Sequence, residues 1–411
     1  MKSIDELIAE FCPDGVEYKP LRELGDFYGG LTGKCKDDFG NGNAKFISYM
    51  NVYSNPATNL EVSDMVRIGQ NEKQNQIQYG DVLFTGSSET PEECAMSSVV
   101  TTDITEPIYL NSFCFGFRLF DKSLYYPGFL KHLLRGEATR KQLHKTASGV
   151  TRFNVSKQRM ASVIIPRPCI EIQREIVRIL DGFTGLIDEL EAELAARRKQ
   201  YEQYRDRVLE SDIGTYKKVT VSDVCKNICS GGTPTAGNGK FYNGNIPWLR
   251  TQEVDWRDIV KTSLTITEEG LSNSSAKWIP ANCVIVAMYG ATAGKVAINR
   301  IPLTTNQACC NLEIDENVAE YKFVFYWLSY RYAQLKKLGQ GTQSNINAAI
   351  VKKFPINLPS LQEQKRIVEI LDKFDALCND ETAGLAAEIS ARKKQYEYYR
   401  DKLLTFKRKA S

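Results

Sequence analysis

Two stretches of this 411-residue chain concentrate charge beside glycine loops. Residues 131–159 hold eight basic side chains (Lys131, Arg135, Arg140, Lys141, Lys145, Arg152, Lys157, Arg159) against one acidic, Glu137. Residues 331–353 hold five (Arg331, Lys336, Lys337, Lys352, Lys353) and no acidic residue. Each reads as a basic helix leading into a polar loop, Ser148-Gly-Val-Thr-Arg152 or Gln340-Gly-Thr-Gln-Ser344. Lysine and arginine neutralise phosphates, and Arg, Gln, Asn, Ser and Thr also bond base edges, so the chemistry on offer is nucleic-acid contact. A single charge run is ordinarily a solvated helix face. Its recurrence at equivalent places is what favours nucleic acid.

Catalytic motifs fare worse. Gly290-Ala-Thr-Ala-Gly294-Lys295-Val296 has three residues between its glycines where a phosphate-binding P-loop needs four, and Val296 stands where the Mg²⁺-binding hydroxyl belongs. Gly29-Gly-Leu-Thr-Gly33-Lys34-Cys35 fails in the same way. Asn245-Ile-Pro-Trp248 lacks the first proline of the Asn-Pro-Pro-aromatic loop of amino-methyltransferases, and no glycine-rich cofactor loop accompanies it. Glu363-Gln-Lys365 has nuclease-like spacing but opens an amphipathic helix, where solvation and capping explain it. Cys225, Cys229, Cys309 and Cys310 lack zinc-site spacing, and the chain has only two histidines, His132 and His144. No catalytic or metal-binding constellation is expected.

The elements that position these residues are duplicated. QREIVRILD at 173–181 returns as QKRIVEILD at 364–372, and RRKQYEQYRDRVL at 197–209 as RKKQYEYYRDKLL at 392–404. The second copy holds four extra residues between the blocks, about one helical turn. Apolar residues step by three and four through Ile187, Leu190, Leu194, Tyr201, Tyr204 and Val208, and through Leu385, Ile389, Tyr396, Tyr399 and Leu403, with one slot of each series filled by Arg197 or Arg392. Such heptad seams predict two long helices, ~58 Å and ~70 Å, packed on each other. Gly182, Gly185 and Gly384 are positions of possible interruption. Each helix follows a proline-marked segment, 165–168 or 354–359. Ser3-Ile-Asp-Glu6 predicts a capping box for a short helix over 3–11.

The resulting organisation is a mixed α/β (α+β) chain with a pseudo-two-fold internal repeat. The expected domains are 1–165, a first spacer helix 166–212, a second domain 213–357 and a second spacer helix 358–411. Both domains carry an extended apolar run ending in small residues, 81–88 and 283–294.

Composition sets the outer bounds. Charged residues make up 25% and hydrophobic residues 42%, which excludes disorder and fibres. No apolar run approaches the ~18 residues of a membrane span, no secretory h-region opens the chain, and eleven irregularly spaced cysteines fit a reducing cytoplasm. The net charge of +3 hides a split: residues 1–210 carry 26 basic and 30 acidic side chains, residues 211–411 carry 27 and 20.

Two variable segments, each followed by Pro-x-x-x-x-Gln-x-x-Ile-Val-x-Ile-Leu-Asp and then Arg-x-Lys-Gln-Tyr-Glu-x-Tyr-Arg-Asp, resemble the specificity (S) subunit of type I restriction–modification systems. Residues 11–18 and 245–250 resemble it as well. The resemblance implies two target recognition domains that each read half of a split double-stranded DNA sequence. They would be joined by an antiparallel coiled-coil pair that sets the gap between half-sites. It implies a cytoplasmic, non-catalytic chain without bound cofactor. Two modification subunits would dock on it and supply S-adenosylmethionine-dependent methylation, with ATP- and Mg²⁺-dependent restriction subunits joining through them. It also makes Ile187–Leu190 and Glu191–Leu194 look like the family's four-residue spacer units. The competing readings are a single-chain nuclease or methyltransferase, and a coiled-coil scaffold without DNA function.

On this reading the DNA-contacting candidates in the first copy are Thr85, Gly86, Ser87, Ser88, Thr151 and Arg152, with Arg140, Lys141 and Lys145 on phosphates. In the second they are Trp248, Arg250, Thr292, Lys295, Thr342, Gln343 and Ser344, with Lys336 and Lys337 on phosphates. Each could instead support its own loop. Ile176, Ile179, Ile367 and Ile370, if not spent on the domains, are candidates for docking the modification subunits.

Overall fold

The computed structural model describes residues 4–210, 216–339, 345–379 and 384–409. The chain forms two compact units, Met1–Glu191 with Glu388–Ser411, and Ala192–Ala387. Each unit therefore takes helix from both copies of the repeat.

In the first unit, helix α1 (Ile4–Phe11) precedes a sheet of β1 (Gly25–Gly29), β3 (Val82–Thr85), β5 (Ser97–Val99) and β7 (Cys114–Leu119). The strand order is β1-β7-β3-β5, antiparallel throughout. Strand β2 (Phe39–Ile47) pairs in parallel with β6 (Ile108–Leu110), and β4 (Ser87–Ser88) pairs with β8 (Phe153–Val155). Ser3, the expected cap of α1, lies outside the described residues.

The second unit repeats this plan. Strands β9 (Cys225–Ser230), β11 (Val284–Ala287), β12 (Val296–Asn299) and β14 (Cys309–Ile314) form the order β9-β14-β11-β12, and β10 (Tyr242–Leu249) runs parallel to β13 (Leu303–Thr305). The correspondence extends to single bonds. Gly86 N–H donates to Phe113 O as Met288 N–H does to Ala308 O, and Val155 N–H donates to Gly86 O as Ile346 N–H does to Met288 O. Val82–Thr85 and Val284–Ala287 are wholly buried, as expected of apolar runs covered on both faces. The proline-marked segments are edge strands, each closing its domain by pairing with the domain's opening strand: 164–167 on 17–20, and 355–358 on 217–220.

The repeated nonapeptide shows why its residues recur. Helix α2 (Pro127–Leu133) and the start of the 41-residue helix α3 (Ile170–Glu210) pack on the first sheet. Helix α4 (Tyr321–Tyr330) and helix α5 (Leu361–Asn379) do so on the second. Gln173 is fully buried; its Nε2 donates to Leu124 O (2.9 Å) and Pro168 O (2.8 Å), and its Oε1 accepts from Tyr126 N (2.8 Å). Gln364 does the same with Pro359 O (2.9 Å) and Glu320 N (2.8 Å). Asp181 accepts from Lys131 and His132 (both 2.7 Å), and Asp372 accepts from Lys322 (2.5 Å) and Tyr326 (2.7 Å). The motif is a clamp that fixes each long helix to its domain.

Beyond the clamps the long helices meet antiparallel. In the first unit Phe183 stacks on Tyr399 (5.3 Å between ring centroids), and Glu191 pairs with Lys393 (2.6 Å). In the second, Tyr201 and Tyr204 pack on Phe374, and Leu209 enters the core with Ile367 and Leu371. Helix α3 runs unbroken through Gly182 and Gly185, whereas the second long helix is interrupted at Gly384, one of the expected positions. It comprises α5 and α6 (Leu385–Leu403), and Gly384 between them has φ +124°, which a right-handed helix cannot contain. The docking expectation also changes: Ile176 and Ile367 are completely buried in the two cores, while Ile179 and Ile370 remain partly exposed.

Candidate nucleic-acid interface

Ser48 caps a short helix, Tyr49–Ser54, by accepting from Asn51 N (3.4 Å). Residues four apart lie on one helix face, so Tyr49 and Tyr53 stack, with centroids 6.2 Å apart. Their hydroxyls donate to Ser87 O (2.8 Å) and Glu93 Oε1 (2.9 Å). Strand β4 lies opposite. Ser87 Oγ accepts from Arg152 (3.0 Å), and Ser88 Oγ donates to Glu93 Oε2 (3.0 Å). The Arg152 guanidinium sits 5.7 Å from the centre of the Phe113 ring, which is 59% exposed. These residues, with Met50, Glu89 and Thr151, line an open cavity of about 530 Å³. The Tyr53 and Ser88 hydroxyls hold the Glu93 carboxyl below its ordinary range, so it is ionised at neutral pH.

Four first-copy candidates thus converge here: Ser87, Ser88, Thr151 and Arg152. Thr85 does not; it is fully buried, and its Oγ1 accepts from Met96 N (3.0 Å). Gly86 serves the backbone, since a Cβ there would come within 2.8 Å of Phe113 O. Arg140 is also redirected. It reaches inward to Ala95 O (2.6 Å), Cys94 O (2.7 Å) and Glu92 O (2.8 Å), and burial lowers its pKa to about 10. Arg135 likewise bonds the carbonyls of Ser97, Val52 and Tyr53. Both guanidiniums stay charged and are engaged in holding loops. Lys141 pairs with Glu137 on the exposed face (2.5 Å), and Lys145 is exposed.

The corresponding edge of the second unit carries different chemistry. Trp248 is 4% exposed, donates to Gly232 O (3.0 Å) and packs with Ile246 and Ile266, so it is a core residue and not a base reader. Arg250 is half-buried, and its Nε is enclosed with no hydrogen-bond partner among the described residues. Thr292 donates to Thr251 O (2.9 Å). Lys295 pairs with Asp255 (2.6 Å) and holds that carboxyl below its ordinary range. Lys336 lies over the Tyr332 ring, 5.3 Å from its centre, and Lys337 is exposed. Thr342, Gln343 and Ser344 lie outside the described residues.

Sequence reading missed Tyr49, Tyr53, Glu93 and Phe113. The Ser48 cap with aromatics four apart was the available signal; the approach of residue 93 to them is purely tertiary. Among the described residues no group of three or more His, Cys, Asp or Glu side chains is disposed to hold a metal ion. Burial pushes the thiols of Cys225, Cys283 and Cys310 up to about 12, consistent with inert interior cysteines. No helix among the described residues is long and apolar enough to cross a membrane.

Comparison with known proteins adds independent findings. The family model for the type I restriction modification DNA specificity domain matches twice, over residues 13–197 and 213–391. The EcoR124I/EcoR124II specificity subunit of Escherichia coli is 40% identical over 257 residues, covering 59% of this chain and 63% of that protein. A putative type I restriction enzyme specificity subunit of Haemophilus influenzae is 30% identical over 276 residues, covering 63% and 68%. A chain solved in work on complex assembly and conformational transition of the type I R-M system superposes with a TM-score of 0.66 at 20% identity, covering 95% and 97%. The S subunit from M. genitalium gives 0.54 at 14%, covering 95% and 96%. At these identities the structural matches establish the shared fold.

Proposed function

The chain belongs to the type I restriction modification DNA specificity family, and from that premise we propose that it is the non-catalytic, sequence-reading subunit of a type I restriction–modification complex. Each unit reads one half of a bipartite double-stranded DNA target, and the long helices set the distance between the halves. The observation that carries this reading is the duplication itself. Two domains share one plan, matching down to single hydrogen bonds, and the first gathers polar and aromatic side chains around an open cavity at β4. Two weak readers on one chain bind with the avidity that a short tether confers. Their separation is then recorded in the target as half-site spacing.

The same reading has two modification subunits docking on the helical region and methylating DNA with S-adenosylmethionine, and restriction subunits that use ATP and Mg²⁺ joining through them. Ile179 and Ile370, partly exposed at equivalent turns of α3 and α5, are the docking candidates that the cores leave available. Methylome sequencing of cells co-expressing the chain with its neighbouring modification subunit tests the proposal. A split motif with fixed spacing is expected, and methylation independent of sequence would overturn it. Purified chain incubated with S-adenosylmethionine, Mg²⁺ and DNA is expected to leave the DNA unchanged; methylation or cleavage would restore the single-chain enzyme.

A further inference from the structure

In the first unit two opposite charges line one cavity without forming an ion pair among the described residues. Arg152 is held by Ser87 and Glu93 by Ser88, consecutive residues of β4. Among the described residues neither Arg152 nor Glu93 forms an ion pair, whereas Lys131, Lys295 and Lys322 each do. Each is instead oriented by neutral groups: Arg152 by a serine oxygen and the Phe113 ring, Glu93 by the Tyr53 and Ser88 hydroxyls. Both face one open cavity. A fixed donor and a fixed acceptor, kept apart on separate anchors, match a ligand that offers an acceptor and a donor at separate points.

Resting on the reading above that this unit faces DNA, we propose that Arg152 and Glu93 together recognise a guanine–cytosine pair through its major-groove edge. Arginine pairs with the O6 and N7 acceptors of guanine, and a carboxylate accepts from the N4 amino group of cytosine. The alternatives on a duplex fit less well. A phosphate would satisfy Arg152 but would be repelled by Glu93, so this cavity is not a backbone contact. Adenine offers a donor but only one acceptor, N7, whereas guanine gives the guanidinium two, O6 and N7, with the cytosine N4 donor beside them. Thymine has no donor on its major-groove edge. Glu93 thus excludes wrong bases as much as it attracts the right one, because a carboxylate facing O4 or O6 meets an acceptor with an acceptor.

The test uses the full chain assembled with its modification subunits and a randomised duplex library, sequenced after selection. The wild-type consensus is expected to contain an invariant guanine–cytosine pair in one half-site. Glu93→Gln, which supplies a donor as well as an acceptor, is expected to lower discrimination at that pair by roughly tenfold to a hundredfold. Arg152→Lys is expected to relax the same pair, and in both variants the other half-site stays intact, which certifies that the protein is folded. Half-sites without an invariant guanine–cytosine pair, or variants that leave the consensus untouched, would overturn the assignment while leaving the bipartite reading standing. A wild-type complex that selects no split sequence would bring down both.

Discussion

Single side chains divide this protein's charge into two kinds that a sequence does not distinguish. Arg140 and Arg152 both lie in the basic stretch 131–159, yet one bonds the carbonyls of buried Cys94 and Ala95 and of Glu92, and the other borders an open cavity. Arg140→Ala is therefore expected to lower unfolding stability by about 2–3 kcal/mol, because it strands buried acceptors. Urea denaturation measures this, and lost DNA affinity with an unchanged midpoint would contradict it. His132 makes a second case. It is 1% exposed between Asp181 (2.7 Å) and the Tyr396 hydroxyl (2.9 Å). Burial lowers its pKa, aided by Lys131 and Arg400 and opposed by Asp181, whose own carboxyl stays ionised because His132 and Lys131 hold it below its ordinary value. A depressed imidazole means that the unfolded chain takes up a proton before the folded one does. The contribution of His132 to stability is thus present above ~6.5, the ordinary histidine value, and is lost as pH falls below it. The melting midpoint is expected to drop between about pH 7.5 and about pH 5.5, and less steeply in His132→Gln. Equal slopes in the two proteins would refute this.

Elements were more legible than side chains because one packing problem was solved twice with the same residues. Gln173 and Gln364, or Asp181 and Asp372, recur since a long helix docked on a domain edge must satisfy the strand-end and cap groups it covers. The heptad seam was likewise readable, for Tyr201, Tyr204 and Val208 pack on one core and Tyr396 and Leu403 on the other. What stayed hidden depended on tertiary placement. A basic helix has the same pattern whether its face meets water or loop carbonyls, so Arg135 and Arg140 looked free. Trp248 stands in a motif-like stretch but its ring fills a satellite core. Glu93 and Tyr53 are 40 residues apart in sequence, and no local spacing announces their bond. Each clamp stabilises the unit that it closes. Gln173→Ala and Gln364→Ala should each destabilise their own unit, by about 2–4 kcal/mol for the lost buried hydrogen bonds. Hydrogen exchange resolved by region measures this, and a loss spread evenly over both units would show that the clamps are not local.

At the scale of the whole chain, the net charge of +3 and the length matter less than continuity. Helix α3 is one element from Ile170 to Glu210; its beginning is clamped in the first unit and its end is buried in the second. Between them, residues 188–200 are almost entirely exposed or half-exposed, so neither core fixes this stretch. Residues inserted there alter no core contact. One further copy of Ile187-Asp-Glu-Leu190 lengthens the helix by about 6 Å and turns it by only ~40° beyond a full turn, which nearly preserves the seam. On the proposed reading, with base pairs rising ~3.4 Å each, the target gap should widen by one or two base pairs while both half-sites stay the same. Methylome sequencing of cells carrying the insertion decides the matter. Altered half-sites at unchanged spacing would show that the helix supports the readers without measuring the distance between their targets.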